Sequence, residues 1–336
     1  MMIDVFPHIL PPKFKETLVR KVSDNYRQSV WFKFLDALPT LWDLEARFRI
    51  MDKFPGYSQV LTLASPALET LFAPQDAIYF ARLANDEMAE LVAKYPERFP
   101  AAVACLPMND FDAALEELDR AIGSLGMKGI QIDSSIAGLP LDAPDFMPFY
   151  EKMTHYDLPI WVHPKRERPG ADYSTEKESK YLINSLFGRE YETAAFMTRL
   201  VFSGVMEKYP GLKIIAHHFG GMVSFLEKRI DSLYDLHEQL MGQSYTQELT
   251  RRPIDYYRLF YCDTAYGSAP GLKCVATFFG EEHVLFATDM PYDNERGERK
   301  IRETIGSVQK MDISLEGKQK IFAANARRLL GLSQGR

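Results

Sequence analysis

Four side chains able to bind a metal or move a proton stand at the ends of short apolar runs in this chain. Asp289 follows Val284-Leu-Phe-Ala-Thr, His163 follows Leu158-Pro-Ile-Trp-Val, His218 follows Leu212-Lys-Ile-Ile-Ala-His, and His8 follows Met2-Ile-Asp-Val-Phe-Pro. An unpaired carboxylate at the end of an apolar strand is costly to bury, so its presence points to use rather than to stability. Imidazole and carboxylate together suit zinc or another first-row divalent ion, and a catalytic site takes about three protein ligands with a position left open. Histidine also exchanges protons near neutral pH. His217 and His218 are adjacent on one strand, so alternation predicts that they point to opposite sides and that only one faces the site. His155, His237 and His283 fall on helical or loop segments and read as structural.

Positioning four such residues together requires strands that converge. Short Val-, Ile- and Leu-rich runs recur at 3–6, 59–64, 101–106, 129–133, 159–163, 213–217, 259–263 and 284–289. Helix-compatible segments lie between them at 76–95, 112–124, 146–156, 190–209, 222–240 and 271–279. Apolar strands alternating with helices are the mark of βα units and a parallel sheet. Eight of them predict an α/β fold, a (β/α)₈ TIM barrel, with a doubly wound open sheet as the fallback. Pro and Gly punctuate the joins, at Pro96, Pro210, Gly211 and Gly280. The 13–55 stretch holds Trp31, Phe32, Phe34, Leu35, Leu41 and Trp42, too apolar for a free tail, and predicts a helical insertion packed over the barrel mouth. One domain spanning 1–336 accounts for the length. In such barrels catalytic groups sit at the C-terminal ends of the strands, where His8, His163, His218 and Asp289 all fall.

Composition narrows the partners. The 336 residues are 46% hydrophobic and 26% charged, with a net charge of −6, which gives no attraction to nucleic acid or to an anionic membrane. No stretch of 18 or more apolar residues occurs and no basic-then-apolar leader opens the chain, so the expectation is a cytoplasmic protein. Cys105, Cys262 and Cys274 are odd in number and widely spaced, which fits buried thiols in a reducing compartment.

Several short sequences, in order and at matching spacing, carry a resemblance. They are DVFPHILP at 4–11, EARFRIMD at 45–52, YPERF at 95–99, GMKGIQ at 126–131, WVHP at 161–164, HFGG at 218–221, YCDT at 261–264, ATDMP at 287–291 and NARRLLG at 325–331. Over nearly its whole length the chain resembles the amidohydrolase-related family that contains aminocarboxymuconate semialdehyde decarboxylase and the resorcylate-type decarboxylases. That resemblance implies one divalent metal ion, zinc or manganese, with His8, His163 and Asp289 as ligands. His218, opening the family's His-x-Gly-Gly turn, would handle the proton beside a metal-bound water. Asp289 counts among the catalytic groups as well. Arg47 would bind the substrate carboxylate, and Arg229 would reach a neighbouring subunit's site, implying a homodimer or higher oligomer. Tyr292, three residues past Asp289, would line the pocket, and the basic loop at 165–170 faces the same mouth. A two-metal centre would need a carbamylated lysine at the end of the fourth strand, where Ile132 and Asp133 stand instead.

One position departs from the family pattern. Phe6 replaces the first histidine of the family's His-x-His on strand one, and residues 6 and 8 share a face, so an aromatic ring stands where a ligand is expected. The leading expectation is a metal-dependent carboxy-lyase acting on a small aromatic or muconate-like carboxylic acid. A hydrolase or hydratase of a lactone, amide or unsaturated acid is the alternative, since one metal site supports all of these. The remaining alternative is a catalytically degenerate barrel, for which Phe6 is the argument.

Overall fold

The computed structural model describes residues 1–22, 24–166, 171–242, 244–246 and 249–333, without the side chains of Asn25, Val30, Trp31 and Asp36. Most of the basic 165–170 loop, from residue 167 on, and the Trp31 side chain therefore lie outside the described residues. Eight parallel strand positions follow in chain order. We label them β1 (Met2–Asp4, resumed at His8–Ile9), β2 (Tyr57–Leu63), β3 (Ala101–Ala102 and Ala104–Cys105), β4 (Ile130–Asp133), β5 (Ile160–His163), β6 (Ile214–Ala216), β7 (Tyr261–Asp263) and β8 (Val284–Leu285).

Each strand pairs with its sequence neighbour: β1 with β2, β2 with β3, and β3 through β8 in order. The ring closes where Val5 N donates to Phe286 O at 2.9 Å and His8 N donates to Met290 O at 2.8 Å. This is the expected barrel. Every residue of β2 is buried, which suits a parallel strand covered on both faces. Inside the ring, Ile3, Val5, Phe6, Val60, Val103, Trp161, Ile215 and Leu285 form one apolar cluster. Outside it, a larger layer joins the strands to helices such as Phe111–Gly123, Met147–Tyr156 and Ala269–Phe279.

The segment after β1 is helical, over Pro12–Lys21, Asp24–Arg27, Val30–Ala37 and Leu44–Met51. Pro12 opens the first of these and the Asp43 carboxylate caps the last. Phe14, Leu18, Leu35, Leu38 and Leu41 bury themselves against Leu63 and Ala64 at the top of β2, against Cys105, and against Phe80 and Ala84 of helix Pro74–Lys94. The insertion thus leans on the C-terminal rim of the barrel, beside the residues named above.

Candidate metal and proton-transfer site

At the C-terminal rim, β1, β5, β6 and β8 bring His8, His163, His217, His218 and Asp289 together, all buried. Asp289 Oδ1 lies 3.1 Å from His8 Nε2 and 3.5 Å from His217 Nε2. The ligand atoms of His8, His163 and His217 fall within 4.8 Å of one another, as do those of His217, His218 and Asp289.

The expectation that only one of His217 and His218 could face the site is overturned by the backbone. Strand β6 stops at Ala216, and residues 218, 219, 220 and 221 all take left-handed φ values of 60°, 45°, 71° and 62°. Alternation holds only while the chain stays extended. A left-handed residue after His217 swings the next side chain back to the same side. Glycine is required at 221, where a Cβ would stand 2.6 Å from Glu190 O. Non-glycine residues in this region carry strain of order ~1–3 kcal/mol, characteristic of functional sites. Asp289 itself has φ 56°.

Charge is distributed unevenly over the cluster. Burial, opposed only in part by Asp289, lowers the His8 pKa. Burial and the surrounding histidines, with Arg189, hold His163 well below its ordinary value. Burial and the adjacent His217 push His218 down to about 4. His217 goes the other way: burial opposes its charge, yet the Asp263 and Asp289 carboxylates prevail and push it up to about 9. Burial alone would raise Asp289, but the Lys300 ammonium and the neighbouring His217 and His8 imidazoles hold it well below the usual carboxylate range. An anionic carboxylate among mostly neutral imidazoles is the ionisation state that a divalent cation needs in its ligands. Buried nitrogens without a hydrogen-bond partner among the described residues, His217 Nε2 and both of His218, add to that fit.

Supporting groups that sequence reasoning did not assign surround the cluster. Asp263, at the end of β7, accepts from His217 Nδ1 at 2.5 Å and from the backbone N–H groups of Phe219 and Ala265. Glu190 Oε1 stands 3.5 Å from His218 Nδ1, and the Tyr266 ring meets the His218 ring edge-on. Lys300, from helix Glu298–Lys310, sends Nζ to Asp289 Oδ2 at 3.2 Å and over the Tyr266 ring. A signal for Asp263 was present in the YCDT sequence. Lys300 and Glu190 had none, since each reads as an ordinary helix-face charge.

The substrate-binding expectations divide. Tyr292 packs beside the His8 ring, 5.4 Å between centroids, and lines a cavity of about 1280 Å³ with Tyr266, Lys300 and Arg299. It also lines one of about 500 Å³ with Phe34 and Leu38 of the insertion. Arg47 is wholly buried behind His8: Nε donates to Gln59 Oε1 at 2.7 Å, and Nη1 donates to His8 O and Thr40 O at 2.9 Å. It lines neither cavity; Nε and Nη1 brace the insertion against the barrel, while Nη2 is buried with no hydrogen-bond partner among the described residues. Arg229 is exposed on helix Glu227–Asp235, outside the cluster. Of the aromatic residues expected to face a substrate, Phe32 and Trp42 pack within the insertion's own core. A smaller cavity of about 150 Å³ reaches His163 and is rimmed by Lys165, Arg166 and Arg189.

The family model described as Amidohydrolase matches residues 3–332. The chain belongs to the amidohydrolase family. It is 30% identical to a gamma-resorcylate decarboxylase of Polaromonas sp. strain JS666, over 86% of this chain and 88% of that protein. It is 28% identical to the 2-amino-3-carboxymuconate-6-semialdehyde decarboxylase of Dictyostelium discoideum, over 99% of this chain and 92% of that one. The fold superposes on the crystal structure of a dihydroxybenzoic acid decarboxylase from Polaromonas sp. JS666, which has bound manganese and the inhibitor 2-nitroresorcinol. The TM-score there is 0.82 at 28% identity, covering 99% of this chain and 98% of that one.

Proposed function

We propose that this amidohydrolase-family protein is a divalent-metal-dependent decarboxylase, a carbon–carbon lyase that removes carbon dioxide from a small aromatic or muconate-like acid. The observation that carries the reading is the convergence of His8 and His163 with His217, and of His217 with His218 and Asp289, beside a cavity rimmed by three basic side chains. In this reading His8, His163 and Asp289 bind the ion. Manganese has the support of the Polaromonas structure, and zinc suits the same donors. Bound there, the ion supplies positive charge that orients the substrate carboxylate.

The remaining chemistry falls to the chain. Arg189, Lys165 and Arg166 draw the carboxylate in, and Tyr292 borders the ring. His218, held low by burial and His217, carries a proton to the carbon that bears the carboxylate once the substrate's negative charge joins Glu190 in favouring its charged form. The carbon–carbon bond then breaks, its electron pair returns to the unsaturated system, and carbon dioxide leaves. The proton stays on carbon and His218 is recharged from solvent.

A homodimer completes the proposal. Tyr181, Leu182, Phe187 and Tyr191 are exposed near the site, and Phe225 and Leu226 are exposed just before Arg229, at a corner where Gly221 lies against Glu190. Apolar exposure on that scale favours burial against a second copy, where Arg229 would meet the neighbouring site. The free thiols Cys105 and Cys262, both buried, fit a reducing cytoplasm. Among the described residues no helix is long and apolar enough to cross a membrane. The test is carbon dioxide release from a panel of hydroxybenzoates and muconates by manganese- or zinc-loaded protein. Release that depends on the ion supports the lyase; opening of lactones without any carbon dioxide would replace it with a hydrolase.

A further inference from the structure

Phe6 and His217 stack face to face, ring centroids 3.7 Å apart and planes 17° from parallel. Phe6 also stands 5.5 Å from the His8 ring and 6.1 Å from the His163 ring, so it occupies the interior of the cluster without offering a donor atom. What it does offer is a flat wall that fixes the neighbouring imidazole. The second constraint on His217 is Asp263, which accepts from Nδ1 and so directs Nε2 into the cluster.

We infer that His217 is a metal ligand, through Nε2, and that it takes over the coordination position that Phe6 cannot fill. The inference rests on the metal-dependent reading above and adds a fourth ligand to it. Three observations carry it. His217 Nε2 is buried with no hydrogen-bond partner among the described residues. It lies 3.5 Å from Asp289 Oδ1, while His8 Nε2 lies 3.1 Å from the same oxygen. Donors about 2.1 Å from one ion stand roughly 3.0–3.4 Å apart along a polyhedron edge, so these separations already approximate one. Finally, a ligand histidine characteristically donates its other ring nitrogen to a carboxylate, which fixes tautomer and ring orientation, and Asp263 plays that part here. The exchange is local: a ligand leaves β1 and another enters from the end of β6, made possible by the left-handed turn that brings both His217 and His218 to one side.

The test is the number of imidazoles on the ion, measured by X-ray absorption on the full chain loaded with one zinc, together with manganese affinity by equilibrium dialysis. Three coordinated imidazoles are expected, from His8, His163 and His217; two would overturn the inference. Replacing His217→Asn should weaken manganese binding by more than about 100-fold, beyond the ~10–100-fold typical of losing an outer-shell partner. The double variant Phe6→His with His217→Gly should restore most of it by returning the imidazole to β1. Wild-type affinity in His217→Asn, or no metal binding by the wild-type protein, would each overturn the inference. Carbon dioxide release is scored separately. Protein that binds metal through His217 but decarboxylates nothing would leave this assignment standing and remove the lyase, whereas an active protein with two imidazoles would do the reverse.

Discussion

Lys300 holds one oxygen of Asp289 while the histidines hold the other: Nζ to Oδ2 is 3.2 Å, and His8 Nε2 to Oδ1 is 3.1 Å. Both partners are buried, so in metal-free protein this ammonium is the principal counter-charge of the carboxylate. Replacing Lys300→Met should cost the metal-free protein about 3–5 kcal/mol, the usual penalty for orphaning a buried charge. A bound cation replaces that charge, so urea unfolding with saturating manganese should show a much smaller loss. Equal losses with and without the ion would mean that Lys300 does not act through Asp289.

His218→Ala should remove turnover while leaving metal content per chain unchanged, because the proposed ligands lie elsewhere in the cluster. Elemental analysis beside an activity assay decides it. Loss of the ion along with the activity would move His218 from proton transfer to coordination.

Glu190→Gln should lower kcat about 10- to 100-fold with little change in KM, less than the ~10²–10⁴-fold contribution of an acid–base group itself, because Glu190 acts through His218. Glu190 favours the charged form of His218. Its neutralisation therefore lowers the His218 pKa further, and the alkaline limb of the rate profile, where His218 loses the proton it donates, should move to lower pH. A limb that stays in place would restrict Glu190 to packing against Gly221.

Arg47→Met should act on stability. The substitution leaves the carbonyls of His8 and Thr40 and the Gln59 side chain without their donor, a loss of roughly 2–4 kcal/mol for buried acceptors of this kind. Folded protein should retain its KM within about threefold. A KM raised by orders of magnitude at unchanged stability would return Arg47 to the carboxylate clamp.

Asp4 is pushed up to about 6 by burial, against hydrogen bonds from Thr288, Tyr57 and the Phe6 N–H. Its native value lies above the unfolded one, so its stabilising contribution is full below about pH 4 and is lost as pH rises through about 6, by up to about 3 kcal/mol. Asp4→Asn mimics the neutral acid at all pH values. The wild-type urea midpoint should therefore fall relative to that of the variant between pH 4 and pH 7; parallel midpoints would place the Asp4 titration outside this window.

The barrel was legible because its strands are buried on both faces and read as continuous apolar runs, with Pro96, Gly211 and Gly280 marking the joins. His8, His163 and Asp289 were legible for the same reason, as polar side chains at the ends of such runs. His217 was misread, because alternation presumes an extended chain and nothing in a single sequence announces a left-handed run from 218 to 221 beyond its two glycines. The bracing bonds of Arg47 were not legible, since an arginine on a short helix gives no sign that its guanidinium will be buried against the carbonyls of residues 8 and 40. Lys300 and Glu190 come into place only through the docking of helices over the rim, which periodicity does not specify.

A single guanidinium shared between the carbonyls of His8 and Thr40 is a mechanical tether between the barrel and its insertion. Residue 40 cannot rise from the rim without pulling on the backbone of residue 8. An acid that wedges beneath Phe34 and Leu38 would therefore be felt at His8 before it touches any imidazole, and amide hydrogen exchange at residues 38–47 should slow when the ion alone is added.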